Sequence, residues 1–323
     1  MTTRRSVSVE RLPAGWEKSN YDLAIAAAGY EQRSRHILEV SGLQSELKVA
    51  AAFDENQIFE FETNLERFKA RGFLVDVVSD EKYAEWCGNV LHGARRSSSP
   101  LKVIADISSL SRVRLAHLVS AIRECGTECD IIVDFIYSLA SFTPPIQQEN
   151  PNSHVGPVTK AYTGWWTEPD RELSAVVGLG YEPDKALGAV EYLQAQDVWL
   201  FMPESNVAEY TPCLQEANDS LVKITEPSHL FEYRVSDPLD CFSRLQSLTQ
   251  GLQTSSNVVL LPFGPKLFVL CCLLVAASDQ SIAVWRVSAQ SGDKPVNRSA
   301  NGDRYGLRVL FTVPSRTEAE PDE

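Results

Sequence analysis

The stretch Ala27-Ala28-Gly29-Tyr30-Glu31-Gln32-Arg33-Ser34 has a second version much later, Gly178-Leu179-Gly180-Tyr181-Glu182-Pro183-Asp184-Lys185. Each ends an apolar run and opens a helical pattern. Between Tyr21 and Ala28 only Asp22 interrupts the apolar residues, which suits a strand buried on both faces of a parallel sheet. Gly29 permits a tight exit, and a helix is expected over Gln32 to Val40.

Outward from there, strand and helix alternate. Lys48 to Phe53, Gly72 to Val78, Leu101 to Ala105 and Cys129 to Ile136 read as strands, with helices through Phe68, Trp86 and Leu118 between them. The leader up to about Asn20 reads as polar. After a Pro- and Asn-rich passage the order repeats: strands at Leu173 to Leu179, Val198 to Phe201, Phe231 to Val235, Asn257 to Leu261 and Ile282 to Val287. Details repeat as well. Asn64 has a counterpart in Asn218, and Ser79-Asp80 in Ser236-Asp237, at a spacing of about 149–157 residues, the size of one domain. The expected fold is therefore α/β: two tandem Rossmann-like lobes, each a doubly wound, mostly parallel sheet, related by internal duplication. Residues 1–150 form the first lobe, 151–172 a linker or edge segment, 173–315 the second lobe with a terminal strand at Leu307 to Val313, and 316–323 a disordered acidic tail.

Composition narrows the function. A length of 323 residues accommodates two full cores. A net charge of -13 argues against broad nucleic-acid binding, which needs Lys and Arg to neutralise phosphates. The seven cysteines include no CxxC pair, and Cys125 and Cys129 lack a second pair of ligands, so no metal site is expected and a reduced, cytoplasmic protein is. No motif names a cofactor. The N-terminus shows no apolar h-region, and the apolar run Lys266 to Ala277 falls short of the ~18 residues of a membrane span, so it reads as a buried helix with no membrane partner.

Ligands of open parallel sheets bind beyond the carboxyl ends of the strands, and the unusual residues cluster there. In the first lobe these are Tyr30, Glu31 and Arg33, then Asp54, then Asp106, Ser108, Ser109 and Arg112, then Tyr137 and Ser138. In the second they are Tyr181 and Glu182, then Gly264 and Lys266. Ser108 or Ser109 either caps a helix or leaves backbone N–H groups free for an anion. Gly264-Pro265-Lys266 combines close approach, a helix start and a point charge for phosphate, without the spacing of a P-loop. Glu31 and Glu182 either act on a ligand or complement a helix dipole. Trp285, Arg286, Lys294, Asn297, Arg298 and Arg304 form a late polar group able to close over an anion or to remain a solvated loop.

Paired α/β units, with strand-four loops of small residues leading to a basic residue (Ser108-Ser109 to Arg112, Gly264 to Lys266), resemble the CARF and SAVED sensor domains of bacterial immune systems. The resemblance implies an oligonucleotide messenger held between two Rossmann-like units. The loop Asp106-Ile-Ser-Ser-Leu-Ser-Arg departs from the family's Thr- and Gly-rich form, and no effector region is visible, so a protein partner would supply the output. Two other readings stand beside this one. The first is an enzyme acting on a nucleotide or nucleoside, with Glu31 or Asp106 as acid or base and Arg33 or Arg112 stabilising negative charge. The second is a structural adaptor presenting Trp165-Trp166 to a complex.

Overall fold

The computed structural model describes residues 5–94, 100–126, 129–144, 154–164, 166, 168, 170–288 and 295–313. In chain order the strands are β1 (Ser6–Arg11), β2 (Asn20–Ala28), β3 (Gln44–Phe53), β4 (Leu74–Val78), β5 (Leu101–Asp106), β6 (Ile131–Ala140), β7 (His154–Pro157), β8 (Leu173–Gly178), β9 (Asp197–Glu204), β10 (Leu230–Arg234), β11 (Asn257–Pro262), β12 (Ala283–Ser288) and β13 (Ala300–Thr312). The α-helices are α1 (His36–Val40), α2 (Phe61–Ala70), α3 (Tyr83–Gly93), α4 (Arg112–Glu124), α5 (Lys185–Leu193), α6 (Tyr210–Ile224), α7 (Pro238–Leu252) and α8 (Lys266–Ser278).

Two mixed, mostly parallel sheets result. The first has the order β1-β13-β6-β5-β2-β3-β4 and the second β10-β9-β8-β11-β12-β7. Numbering the parallel strands within each half gives 3-2-1-4-5 both times. At the centre of the first sheet Ala26, Ala27 and Ala28 lie beside Ala50, Ala51 and Ala52. Such small side chains, all but buried, let helices approach both faces closely. The structure agrees with the expected helix over Gln32 to Val40 only in part: a 3-10 turn at Gln32–Arg35 precedes the short α1.

Two differences from the sequence expectation concern the edges. The polar leader contributes a strand not placed from sequence, β1, which runs antiparallel to β13 with Val7 and Val9 facing inward. The terminal strand, expected in the second lobe within 173–315, instead joins the first sheet beside β6. The reason lies in Asp134, fully buried on β6: Arg308 on β13 bonds both its oxygens at 2.7 and 2.8 Å, and the Tyr21 hydroxyl donates to it at 2.7 Å. A buried carboxylate is tolerable only when so paired, and this pairing sets which sheet receives β13. Its place in the second sheet is taken by β7, antiparallel to β12, so the linker does supply an edge strand. The acidic tail lies outside the described residues.

The halves meet through α4 and α8, which pack against each other, while α8 also contacts α7, β1, β11 and β12. With neighbours on every side, all residues from Leu267 to Ala277 are buried. That is why the run has no polar face. One core cluster extends through both halves, from Leu115 and Val119 on α4 to Leu270 and Leu274 on α8. No helix among the described residues is long and apolar enough to cross a membrane.

Candidate functional site: the junction of the two halves

Both Gly-Tyr-Glu exits are built alike. The buried Asn64 on α2 donates to the carbonyls of Gly29 and Glu31 at 2.7 and 2.9 Å. The buried Asn218 on α6 donates to the Gly180 carbonyl at 2.7 Å. In the first half Ser34 adds a second fastening, donating to the Ala27 carbonyl at 2.6 Å and accepting from Gly29 N–H at 3.1 Å. These bonds hold each strand exit rigid and set the direction in which the next residues project.

From the first exit, Glu31 and Arg33 turn into the interior. Arg33 Nε donates to Glu31 at 2.5 Å, and Arg33 Nη1 reaches the Tyr137 hydroxyl at 3.2 Å and the Ser138 carbonyl at 3.3 Å. The guanidinium lies over the Tyr137 ring at 5.5 Å. Arg298 completes the group from the segment before β13. It bonds Glu31 at 3.1 Å and, across the junction, the Tyr181 hydroxyl at 3.3 Å. Its own backbone is docked by Arg33 N–H to the Arg298 carbonyl and Gln32 N–H to Asn297 Oδ1. Burial works to raise the Glu31 pKa, but Arg33, Lys266 and Arg298 together overcome it and hold the carboxyl below its ordinary range. A carboxylate so held is a weak proton acceptor.

The strand-four loops cross over one another. Ser111, not Ser108 or Ser109, is the N-cap of α4, accepting from Arg114 N–H at 3.1 Å. Ser108 is thereby free for other work: its hydroxyl accepts from Ser138 N–H at 2.9 Å, tying the loop to β6. The Lys266 ammonium donates to the carbonyl of Ser108, and Arg112 Nη2 donates to the carbonyl of Phe263 at 2.9 Å. The first basic residue of each helix thus binds the loop of the opposite half. Gly264 is required for this closeness, because a Cβ there would lie 2.7 Å from the Leu179 carbonyl oxygen. Asp106 accepts from Ser108 N–H at 2.9 Å, and burial raises its pKa to about 6 despite that bond. Burial pushes Lys266 down to about 7; the charge of Arg33 adds to this and Glu31 opposes it.

Not every expected residue reaches the junction. Tyr30 is half-buried beside Phe59, Asp54 is exposed on the loop after β3, and Glu182 pairs with Lys185 at 3.7 Å instead of repeating the role of Glu31. Of the late basic group, Asn297 and Arg298 arrive. Arg304 goes to Glu17 at 3.4 Å and over the Trp16 ring, Arg286 and Trp285 remain on β12 beside β7, and Lys294 lies outside the described residues. Trp166 is half-buried and donates to the Ser281 carbonyl at 2.9 Å, so it is not the exposed surface expected; Trp165 lies outside the described residues.

The sequence reading missed Tyr210, which stacks on Tyr181 with ring centroids 5.6 Å apart and donates to the Ser141 carbonyl at 3.1 Å. It also missed Tyr233, whose buried hydroxyl has no partner among the described residues and lies 3.4 Å from where a Gly264 Cβ would stand. Neither residue carries a local signal, because each is brought in by tertiary packing. A separate cleft of about 320 Å³, lined by residues 11–17, 236–239 and 304–306, shares no residue with the junction, and its charges balance: Arg11 faces Asp237 and Arg304 faces Glu17. Among the described residues no group of three or more His, Cys, Asp or Glu is placed to hold a metal ion. No family model matches the chain, and no curated protein matches it either, so the geometry of the junction carries the functional argument alone.

Proposed function

We propose that the chain binds a nucleotide or another phosphorylated small molecule at the junction of its two halves. The observation that carries this reading is the convergence of Arg33, Arg112, Lys266 and Arg298, from both halves, on a place where, among the described residues, Glu31 and Asp106 oppose them. Surplus positive charge in a partly buried place is unfavourable, and an anion seated there relieves it. Neither α4 nor α8 has an acidic residue in its first turn, so both helix dipoles add to the same attraction. The Tyr181–Tyr210 pair beside Arg298 offers a ring face to a base.

In the same reading the halves are copies of one duplicated α/β unit, supported by their shared strand order and by the paired Asn64 and Asn218 bonds. The likeness to CARF and SAVED domains then makes the chain a sensor of a bacterial defence system, working in the cytoplasm through a protein partner. Seven free cysteines suit that compartment. The test is calorimetric titration of the full chain against a panel of nucleotides. Lys266→Ala is expected to abolish binding while leaving the circular dichroism spectrum intact. Absence of heat across the panel with the unaltered chain overturns the proposal.

A further inference from the structure

With all six groups ionised, four positive charges (Arg33, Arg112, Lys266, Arg298) meet two negative ones (Glu31, Asp106) at the junction, and the cations differ in what they bond. Arg33 and Arg298 both have the Glu31 carboxylate as partner. Lys266 and Arg112 make no direct ion pair among the described residues: each donates to a neutral backbone carbonyl of the other half, and Glu31 and Asp106 act on Lys266 only from beyond ion-pair distance. The one other acid at hand, Asp106, is turned to Ser108 N–H. A carbonyl satisfies the hydrogen-bonding of a cation but not its charge.

Three buried hydroxyls without hydrogen-bond partners among the described residues bracket the same crossing. Ser109 Oγ belongs to the first strand-four loop, the Tyr233 hydroxyl faces Gly264 in the second, and Ser138 follows Tyr137, with its N–H on Ser108 and its carbonyl on Arg33. Buried donors left unpaired are uncommon and are costly to keep.

We propose that the junction takes a phosphate group carrying two charges, a phosphomonoester or the end of a polyphosphate, in preference to a singly charged phosphodiester, with Lys266 and Arg112 exchanging their carbonyl partners for its oxygens. The inference rests on the phosphate-binding reading above and adds the charge state of the group bound. It also carries a proton. The groups facing Lys266 are Arg33, Glu31, Arg298, Arg112 and Asp106, and burial with the first of these pushes its pKa down to about 7. The Lys266 ammonium is therefore easier to deprotonate than a free lysine, and a bound dianion favours its charged form. A phosphomonoester is itself already doubly charged at about pH 8, its second pKa being about 6, so the proton enters from solvent onto the protein.

The experiment is titration calorimetry of the full chain at pH 8 in two buffers of different ionisation enthalpy. The probes are inorganic pyrophosphate, adenosine 5′-monophosphate, adenosine 3′,5′-cyclic monophosphate and a cyclic adenine dinucleotide. Expected are binding of the 5′-monophosphate at least about ten-fold tighter than either cyclic compound and a net uptake of protons. In Lys266→Arg, which stays charged, binding is expected to persist and the uptake to vanish. A cyclic compound binding as tightly as the 5′-monophosphate, or uptake that persists in Lys266→Arg, overturns the inference and leaves the nucleotide reading standing. Pyrophosphate binding with uptake, but no nucleotide binding, supports the charge assignment and removes the base. No binding of any probe removes both.

Discussion

Glu31→Gln separates a carboxylate that restrains the junction from one that does chemistry there, because the two roles predict opposite results. Glu31 is buried and bonds Arg33 at 2.5 Å and Arg298 at 3.1 Å, while Arg33 itself is only 5% exposed. Removing one charge of a buried pair costs about 3–5 kcal/mol. Glutamine keeps one acceptor oxygen, and Arg33 retains Tyr137 and Ser138, so the lower end applies, about 3 kcal/mol. At roughly 2.1 cal/mol/K per residue over 323 residues, unfolding entropy is about 0.7 kcal/mol/K, and the melting temperature falls by about 4–5 °C. Pyrophosphate affinity moves the other way. A negative charge that competed with the ligand for two guanidiniums has gone, which at an effective dielectric near 20 favours the anion by about 1–2 kcal/mol, roughly ten-fold. Thermal unfolding at pH 7.5, with and without pyrophosphate, reads both numbers together with titration calorimetry. The Glu31 pKa is lowered on folding, so its contribution is present above its ordinary value of 4.5 and is lost as pH falls through the folded value; the two proteins therefore converge in acid. An unchanged melting temperature together with weakened anion binding would refute the restraint argument and return Glu31 to the list of groups that touch substrate.

The remaining predictions address the scaffold. Asp106 has its pKa raised by burial from 3.8 to about 6, so the native state binds more protons between those values and loses stability as pH rises through them. Asp106→Asn is therefore expected to be more stable than the parent at pH 7.5, by about 3 kcal/mol, with the gain disappearing below about pH 4, as read by urea denaturation across pH. Asn64→Ala strands the buried Gly29 carbonyl and is expected to cost about 2 kcal/mol, Asn218→Ala strands the half-buried Gly180 carbonyl and about 1 kcal/mol, the two adding in the double variant because they lie in opposite halves; one silent member would break the equivalence. Gly264→Ala forces a methyl group to 2.7 Å from the Leu179 carbonyl and should cost about 1–3 kcal/mol, whereas Gly251→Ala, with open space around it on α7, should be neutral or stabilising; equal effects would remove the close-approach argument.

The parts of the fold legible from sequence were those set by local pattern. Strands buried on both faces leave unbroken apolar runs, and helices that follow them leave a Gly, Ser or Pro at the junction, so β2, β5, β8 and β11 could be placed from residues alone. The all-apolar α8 was recognisable as buried for the same reason, and Asn218 could be matched to Asn64 because a polar residue at one spacing in two amphipathic helices is a repeated exception. What escaped depends on partners distant in the chain. The alternation of β1 is only Ser6-Val7-Ser8-Val9, and its partner is β13, so no local window reveals it. Nothing near Arg308 announces that Asp134 is waiting for it on β6. The junction divides in the same way: its strand-end residues follow from topology, but Tyr210 and Tyr233 enter through packing between elements.

The two halves share a strand order and several backbone bonds, yet their charged groups differ. The strand order, the Asn bonds and the reciprocal clasp of Lys266 and Arg112 are common to both halves, and each stabilises backbone irrespective of ligand. The charges are not common. Asp106 faces Pro262 as the last residue of the equivalent strand, Glu31 is held by two guanidiniums while Glu182 pairs with Lys185, and the loop of five residues before α4 contrasts with three before α8. A shorter second loop draws Gly264 against Leu179 and carries Lys266 into the first half, whereas the longer first loop has room for Ser108 to bind β6 and Ser111 to cap its helix. An anion bound at the junction, as proposed above, is therefore expected nearer the first half. A ligand with two equivalent ends would gain nothing from its second end, and one with a single charged terminus fits what the side chains offer.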